Sequence, residues 1–349
     1  MNLQDKLSHF IENNIDKGPQ HINSKVLIID GLNTFIRCFA ARNDLSDDGL
    51  HIGGIVGFLQ SIGAAIRFIK PTRVIVAWDG KGGSQRRRAL FSDYKANRKT
   101  NIKLNRAYDF NTLEDEEQSK KWQLLKIVEI LQNLPVLLLY PENIEADDVI
   151  AYLANYVAED KNGKAIIMSS DKDFLQLVTE YISVYSPIKH KLYNINSVLT
   201  DYKFHPNNFL LYRAITGDNS DNIPGIMGVK EKTLLKFFPE LSEEKVISID
   251  DLLDRTKVLN EQKSYKALEN ILICREQLEL NTKLMDLRNV SIGGQVKLSL
   301  LDSCDNYSPK INKYELTKIL LHDKLMPAFG KNYDEWVNSS FNYLTQYKQ

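Results

Sequence analysis

Cysteine is scarce: Cys38, Cys274 and Cys304 are the only three in 349 residues. An odd, widely spaced set excludes a disulfide framework and suits free thiols in a reducing cytoplasm. The six histidines are scattered, and no Cys/His spacing matches a zinc site. No apolar run reaches the roughly eighteen residues that suggest a membrane span. The opening stretch, MNLQDKLSHFIENNIDKG, is polar and acidic, unlike a signal peptide. A cytoplasmic location without membrane contact is therefore expected. There is no internal repeat, no low-complexity tract and no net charge, with 45 basic residues against 45 acidic ones. Hydrophobic residues at 43% and charged residues at 26% fit a soluble globular chain long enough for one large domain or two ordinary ones.

The charge balance hides a segregation. Residues 81–106 hold nine basic side chains (Lys81, Arg86, Arg87, Arg88, Lys95, Arg98, Lys99, Lys103, Arg106) and one acid, Asp93. A charge run is usually a solvated face, but a net +8 over 26 residues repels itself unless an anion is near. Such a segment is expected to be mobile until a strand of nucleic acid neutralises it.

Residues 1–24 read as an N-terminal arm. Buried strands follow at KVLIID (25–30), RVIVAWD (73–79), PVLLLY (135–140) and KAIIMSSDKD (164–173). Helical patterns lie between them at 57–69, 122–134 and 149–158. Alternation of this kind predicts a doubly wound, mostly parallel α/β sheet. The basic run and the acidic LEDEEQ after it form a long polar insertion, about 81–121. ISVYSP and KLYNI read as short edge strands. From about residue 201 to 349 the pattern is mainly helical.

In open α/β sheets, ligands bind at the carboxyl ends of the strands. There the sequence places Asp30, Asp79, the group Glu145, Asp147 and Asp148, and then Asp171 and Asp173. Asp218 and Asp221 follow in GDNSDNIPG. Any one Asp after a strand reads equally well as a helix N-cap. E-x-D-D and D-x-D exceed what capping requires, and so many carboxylates repel one another without cations. Oxygen ligands without His or Cys select Mg²⁺ or Mn²⁺, and their number suggests two ions, the arrangement that cleaves phosphodiesters. No D-x-D-x-D-G calcium loop is present. SDYKANRK (92–99) sets Lys95 and Arg98 at helical i, i+3 spacing, a pair able to grip a phosphate. NIPGIMGVKEKT (222–233) carries Gly225 and Gly228 in a turn before a helix, where backbone N–H groups can approach a phosphate.

Six ordered motifs carry a family resemblance: LIIDGLN, VAWDG, RRALFSDYKANR, EADDVIA, SSDKDFLQL and GDNSDNIPGI. The chain resembles the flap endonuclease/5′→3′ exonuclease family, which includes phage 5′-exonucleases, phage-type ribonuclease H and the N-terminal nuclease of bacterial DNA polymerase I. The resemblance implies a PIN-like sheet over 25–200 with a helical arch near 81–121. It also implies a helical DNA-binding part over 201–349, with a helix–three-turn–helix near 206–238. It implies Asp30, Asp79, Glu145 and Asp147 around one Mg²⁺, and Asp147, Asp171, Asp173, Asp218 and Asp221 around a second, with Asp148 behind them. Arg87, Lys95 and Arg98 would face the reacting phosphate. Tyr94 would stack on a base, and Lys99, Lys103, Arg106, Gly225, Gly228, Lys230 and Lys232 would hold the nucleic acid. The family's turn often binds K⁺. Lys230 stands where the family usually has glycine, which argues against that ion and for a direct phosphate contact.

The reading is a Mg²⁺-dependent 5′ nuclease acting on 5′ flaps, nicked duplexes and RNA–DNA primers, and releasing 5′-phosphate products. Its expected setting is DNA replication or repair, in the host cytoplasm if phage-encoded. A monomer is expected, with a single-stranded-DNA-binding protein or a separate polymerase as protein partners. Three alternatives have recognisable marks. A non-catalytic DNA-binding homologue would have lost carboxylates. A PIN-like ribonuclease would lack the arch and the glycine turn. An aspartyl phosphotransferase would need a second Asp two residues after Asp30, where Leu32 stands.

Overall fold

The computed structural model describes residues 21–97, 103–326, 329 and 333–347. Most of the N-terminal arm, together with Arg98 and Lys99, lies outside them. The strands are β1 (Lys25–Asp30), β2 (Arg73–Ala77), β3 (Leu137–Leu139), β4 (Lys164–Met168), β5 (Ile182–Ser186) and β6 (Lys191–Tyr193). They form one sheet in the order β3-β2-β1-β4-β5-β6, parallel throughout except for the antiparallel β5–β6 pair. The central strands are continuous apolar runs because both faces of the sheet are covered. Val26, Ile28, Ile75, Ala77, Ala165 and Ile167 point into one core. Their neighbours Leu27, Ile29, Val74, Val76, Ile166 and Met168 point into the other.

The second core is roofed by α1 (Gly31–Ala41), α2 (Gly53–Ile69) and α4 (Leu113–Leu131). The short α3 (Gln85–Leu90) lies between α2 and α4 in the chain. On the first face lie α5 (Ala146–Glu159), α6 (Ile195–Tyr202), α7 (Pro206–Thr216), α8 (Glu231–Phe237), α9 (Ile249–Gln262), α10 (Lys266–Ile273), α11 (Arg275–Met285) and α12 (Gly294–Asp305). The chain then returns to the second face with α13 (Lys313–His322) and α14 (Tyr333–Ser340). Residues beyond 200 thus share both cores with the sheet: Phe204, Phe209 and Leu300 in one, Leu316, Val337 and Phe341 in the other. No described helix is long and apolar enough to cross a membrane.

Strands β2, β3 and β4 are shorter than the sequence suggested, β3 covering only Leu137–Leu139 of PVLLLY. β2 stops at Ala77, so Asp79 lies on the loop beyond it, and β4 stops at Met168 before a 3₁₀ turn over Lys172–Leu177. The acidic LEDEEQ forms the first turns of a helix. Thr112 accepts from the Asp115 backbone N–H while Asp115 returns the bond, and this capping box starts α4 at Leu113.

The glycine turn links α7 to α8. Gly225 packs against the backbone of Thr216 and Gly217, so close that a Cβ would stand 2.2 Å from the Thr216 carbonyl oxygen. Gly228 is different: its φ is +78°, and only the Asn270 amide lies within 4 Å of where a Cβ would be. Gly225→Ala should therefore destabilise the fold by about 1–3 kcal/mol through overpacking. Gly228→Ala should cost about 1 kcal/mol, for its left-handed backbone alone. Urea melts of the two variants check this, and equal losses would contradict it.

Candidate active site

β1 and β4 are neighbours although β2 and β3 intervene in sequence, so the switch in strand order falls between them. Their carboxyl ends, with that of β2, floor a cavity of about 980 Å³ lined by Asp30, Asp79, Asp147, Asp171 and Lys95. The cavity runs on between α1, through Asn33, Ile36 and Arg37, and the first turns of α4, through Leu113, Glu116 and Lys120. A second hollow of about 410 Å³ shares Asp79 and Lys95 with it and is walled by Gly80, Gly82 and Gly83.

Capping and clustering hold together at this edge. Asp30 caps α1 through the Asn33 N–H at 3.1 Å and also accepts from the Ser169 hydroxyl at 2.9 Å. Asp171 accepts from the Asp173 N–H at 2.8 Å. Asp79 reaches across to the first N–H of α5, that of Ala146, at 2.8 Å. Burial and the neighbouring Asp171 and Asp79 push the Asp30 carboxyl up to about 7, against the bonds from Asn33 and Ser169. Asp171 also rises to about 7, through burial and then repulsion from Asp173. Asp147 is raised well above the usual range by burial and by Asp30.

Glu145 and Asp148 are compensated by side chains instead. The Arg87 guanidinium is 3% exposed. It donates to Asp148 at 2.7 and 3.0 Å, to Glu145, and to the Leu284 carbonyl on α11 at 2.8 Å. Lys95 donates to the other Glu145 oxygen at 2.6 Å. Burial would raise the Glu145 carboxyl, but Lys95 and Arg87 outweigh it and hold it below its ordinary value. Burial opposes the charge on Lys95 too, and Asp147 and Glu145 overcome it, so the ammonium stays protonated. Three expectations change here. Arg87 does not face the cavity as a free phosphate ligand, because its donors are taken inside the protein. Glu145 is enclosed by two cations. Tyr94 is no stacking platform: it is 3% exposed and packs with Ile223, Leu284 and Met285.

The second carboxylate group is tied to α7. Arg213 donates to Asp173 at 2.5 Å, to Asp218, and to the Gly217 carbonyl at 3.2 Å. The other Asp218 oxygen accepts from the Ser220 N–H and hydroxyl, both at 2.7 Å. Burial alone would raise Asp218, but Ser220 and Arg213 bring it below its ordinary value. Asp173 stays raised, because burial exceeds what Arg213 returns. Asp221 lies on the same loop, and its carbonyl accepts the Lys95 N–H at 2.9 Å.

The start of the basic run is docked against the Asp218–Ile223 loop. Residues 92–97 form turns, not a helix, and Lys95 has φ +56°. Left-handed backbone there breaks the i, i+3 spacing expected with Arg98. The Asn97 amide bonds to Asn222 at 2.7 Å, and the Asn222 amide bonds to the Asp93 carbonyl at 3.0 Å. The run returns at Lys103, paired with Asp109, and at Arg106, whose N–H bonds to the Ala40 carbonyl at 2.9 Å. Glu116 fixes this return by accepting from the Leu104 and Asn105 backbone at 3.0 and 2.5 Å. The glycine turn is held from behind, with the Pro224 carbonyl bonded to Gln277 and Asn281 and the Met227 carbonyl to Asn270. Its crest, Met227, Gly228, Lys230 and Lys232, is exposed. Sequence reasoning missed Asn33, Arg37, Ser169 and Arg213. The lone arginine within apolar FLLYRAIT, five residues before Asp218, was the one available signal.

Residues 25–203 match the model of the 5′-3′ exonuclease N-terminal resolvase-like domain. The 5′-3′ exonuclease of Bacillus subtilis (strain 168) is 30% identical over 274 residues, covering 76% of this chain and 83% of its own. The thermostable DNA polymerase I of Thermus thermophilus is 33% identical over 268 residues, which cover 75% of this chain but 29% of the polymerase. Among solved structures, the T5 5′-exonuclease with bound zinc shares the fold at a TM-score of 0.60 and 19% identity, covering 87% of this chain and 99% of its own. The domain match takes in every strand of the sheet and the acidic edge through Asp173, and this chain belongs to the flap endonuclease/5′–3′ exonuclease family.

Proposed function

We propose that the chain is a divalent-metal-dependent 5′ nuclease that hydrolyses phosphodiesters in 5′ flaps, nicked duplexes and RNA–DNA primers to leave 5′-phosphates. One observation carries this: Asp30, Asp147 and Asp171 are buried together at the cavity floor, where burial first and neighbouring carboxylates after it raise their proton affinity, and a protonated lysine stands beside them. The donor set fits a hard cation, being all carboxylate with neither thiol nor imidazole. Among the described residues no three such groups already converge on a common ligating point. An ion held there would keep much of its water, as Mg²⁺ does. Asp30, Asp79, Asp147 and Asp171 would hold one Mg²⁺, with Mn²⁺ as a substitute, and Asp171, Asp173, Asp218 and Asp221 a second. Bound ions supply an acidified water and neutralise the leaving 3′ oxygen.

The chain's own groups do the rest. Lys95 lines both hollows at the junction, where its ammonium would bind an oxygen of the scissile phosphate. Arg87 positions Glu145 and Asp148 rather than touching substrate. Arg98 and Lys99 fall outside the described residues and remain proposed phosphate contacts, with Lys103 and Arg106 at the return of the run. Gly228, Lys230 and Lys232 at the exposed crest would meet the duplex backbone, while Gly225 serves the turn's own packing. Such contacts read shape rather than sequence. Lys230 supports a direct phosphate contact in place of K⁺. A monomer working beside a separate polymerase or single-stranded-DNA-binding protein is consistent with this reading.

Labelled flap, nicked and single-stranded substrates, each with Mg²⁺ and with chelator, test the function. Cleavage near the flap junction that stops with chelator is expected, and metal-independent or absent cleavage would contradict it. Asp171→Asn should lower turnover by at least about a hundred-fold while DNA still binds. Lys95→Ala should lower kcat by about 10²–10³ with a smaller effect on KM. Arg87→Met should instead lower stability by about 3–5 kcal/mol, because Glu145 and Asp148 are left buried without their cation. Thermal melts beside single-turnover rates separate the two basic residues, and a stable but inactive Arg87→Met would contradict the positioning role.

A further inference from the structure

Arg213 stands inside the second carboxylate group. Its side chain is 12% exposed, and those of Asp173 and Asp218 are each 17% exposed. All three guanidinium nitrogens are engaged, with Asp173, Asp218 and the Gly217 carbonyl. Asp218 then has neither oxygen unengaged, since Ser220 holds the other. Across the cavity floor, no arginine bonds to Asp30, Asp79 or Asp147 among the hydrogen bonds described. The two halves of the acidic edge thus differ in how a cation is held: Arg213 bonds directly to Asp173 and Asp218, whereas Lys95 lines the cavity beside Asp30, Asp79 and Asp147 and bonds to Glu145.

We propose that Arg213 is a resident counter-charge that competes with the second divalent ion for Asp173 and Asp218, so that this ion binds weakly and only by displacing the guanidinium. The inference rests on the divalent-metal reading and adds a hierarchy to it. The first ion meets carboxylates to which no arginine is bonded, with Lys95 beside them. The second must overcome a fixed positive charge on two of its own ligands, and like charges within a few ångströms repel strongly where water is scarce. Occupancy of the second position then depends on what arrives with it. A phosphodiester supplies negative charge and shifts the balance, so full metal loading is coupled to substrate. Arg213 is a positioning residue in this account, with no contact to the reacting atoms.

Mn²⁺ titration of the metal-free full chain, followed by the electron paramagnetic resonance of unbound Mn²⁺, reads the hierarchy without reference to activity. Wild type should bind one ion tightly and a second at least about ten-fold more weakly. Arg213→Gln removes the charge at similar length and should tighten the second ion by at least about ten-fold, leaving the first nearly unchanged. Arg213→Lys keeps the charge but loses the fork, and should tighten the second ion measurably but less, by about two- to three-fold. It also serves as the test if the glutamine variant does not fold. Unchanged or weakened second-ion affinity in the variants would overturn this inference alone. No Mn²⁺ bound by wild type would overturn the metal reading and the inference with it.

Discussion

Carboxylates crowded at one edge of a sheet repel one another, and the rest of the site is organised by how that repulsion is relieved. Two arginines supply part of that relief. Arg87, anchored to α11, neutralises Glu145 and Asp148 from inside the protein. Arg213, on α7, pairs with Asp173 and Asp218 and with Ser220 outweighs burial at Asp218 but not at Asp173. Asp30, Asp147 and Asp171 bond to neither Arg87 nor Arg213, and burial, with repulsion from neighbouring carboxylates, raises their proton affinity. What the fold leaves unrelieved is where a mobile cation gains most.

Topology explains why these groups meet. The strand order reverses beside β1, so the ends of β1, β2 and β4 open onto one crevice, and α5 starts there. Helices from beyond residue 200 then pack on the same sheet face as α5 and bring Arg213, Leu284 and the Asp218–Ile223 loop to the rim. The segment over 91–97 is clamped between that loop and α11, which places Lys95 at the junction of two hollows. The C-terminal helices are therefore part of the site's framework as well as a surface for a duplex.

Much of this was legible in the sequence, and the reason is local. Central strands covered on both faces must be uninterrupted apolar runs, so KVLIID and KAIIM stand out, and acids at their ends are visible by position alone. The ion pairs were not legible, because they depend on contacts made far along the chain. Arg87 bonds to a carbonyl 197 residues away, and nothing in RRRAL marks the second of its arginines as the buried one. Tyr94 looked like a stacking residue because its apolar neighbours, Ile223, Leu284 and Met285, lie in other elements. The helical spacing of Lys95 and Arg98 failed for a backbone reason, a left-handed residue at Lys95 that a charge pattern does not reveal. Arg213 was passed over because one cation in an apolar helix reads as a surface residue.

The central claim is that the chain keeps a set of carboxylates part-protonated near neutrality until a divalent cation replaces those protons. Calorimetric titration of Mg²⁺ into metal-free protein, in buffers of different ionisation enthalpy, counts the protons released on binding. With Asp30 and Asp171 both near 7 and Asp147 raised as well, at least about one proton should leave per first ion bound at pH 7, and the number should fall as the pH rises. Mg²⁺ binding at pH 7 with no proton release, or no binding at all, would contradict the account.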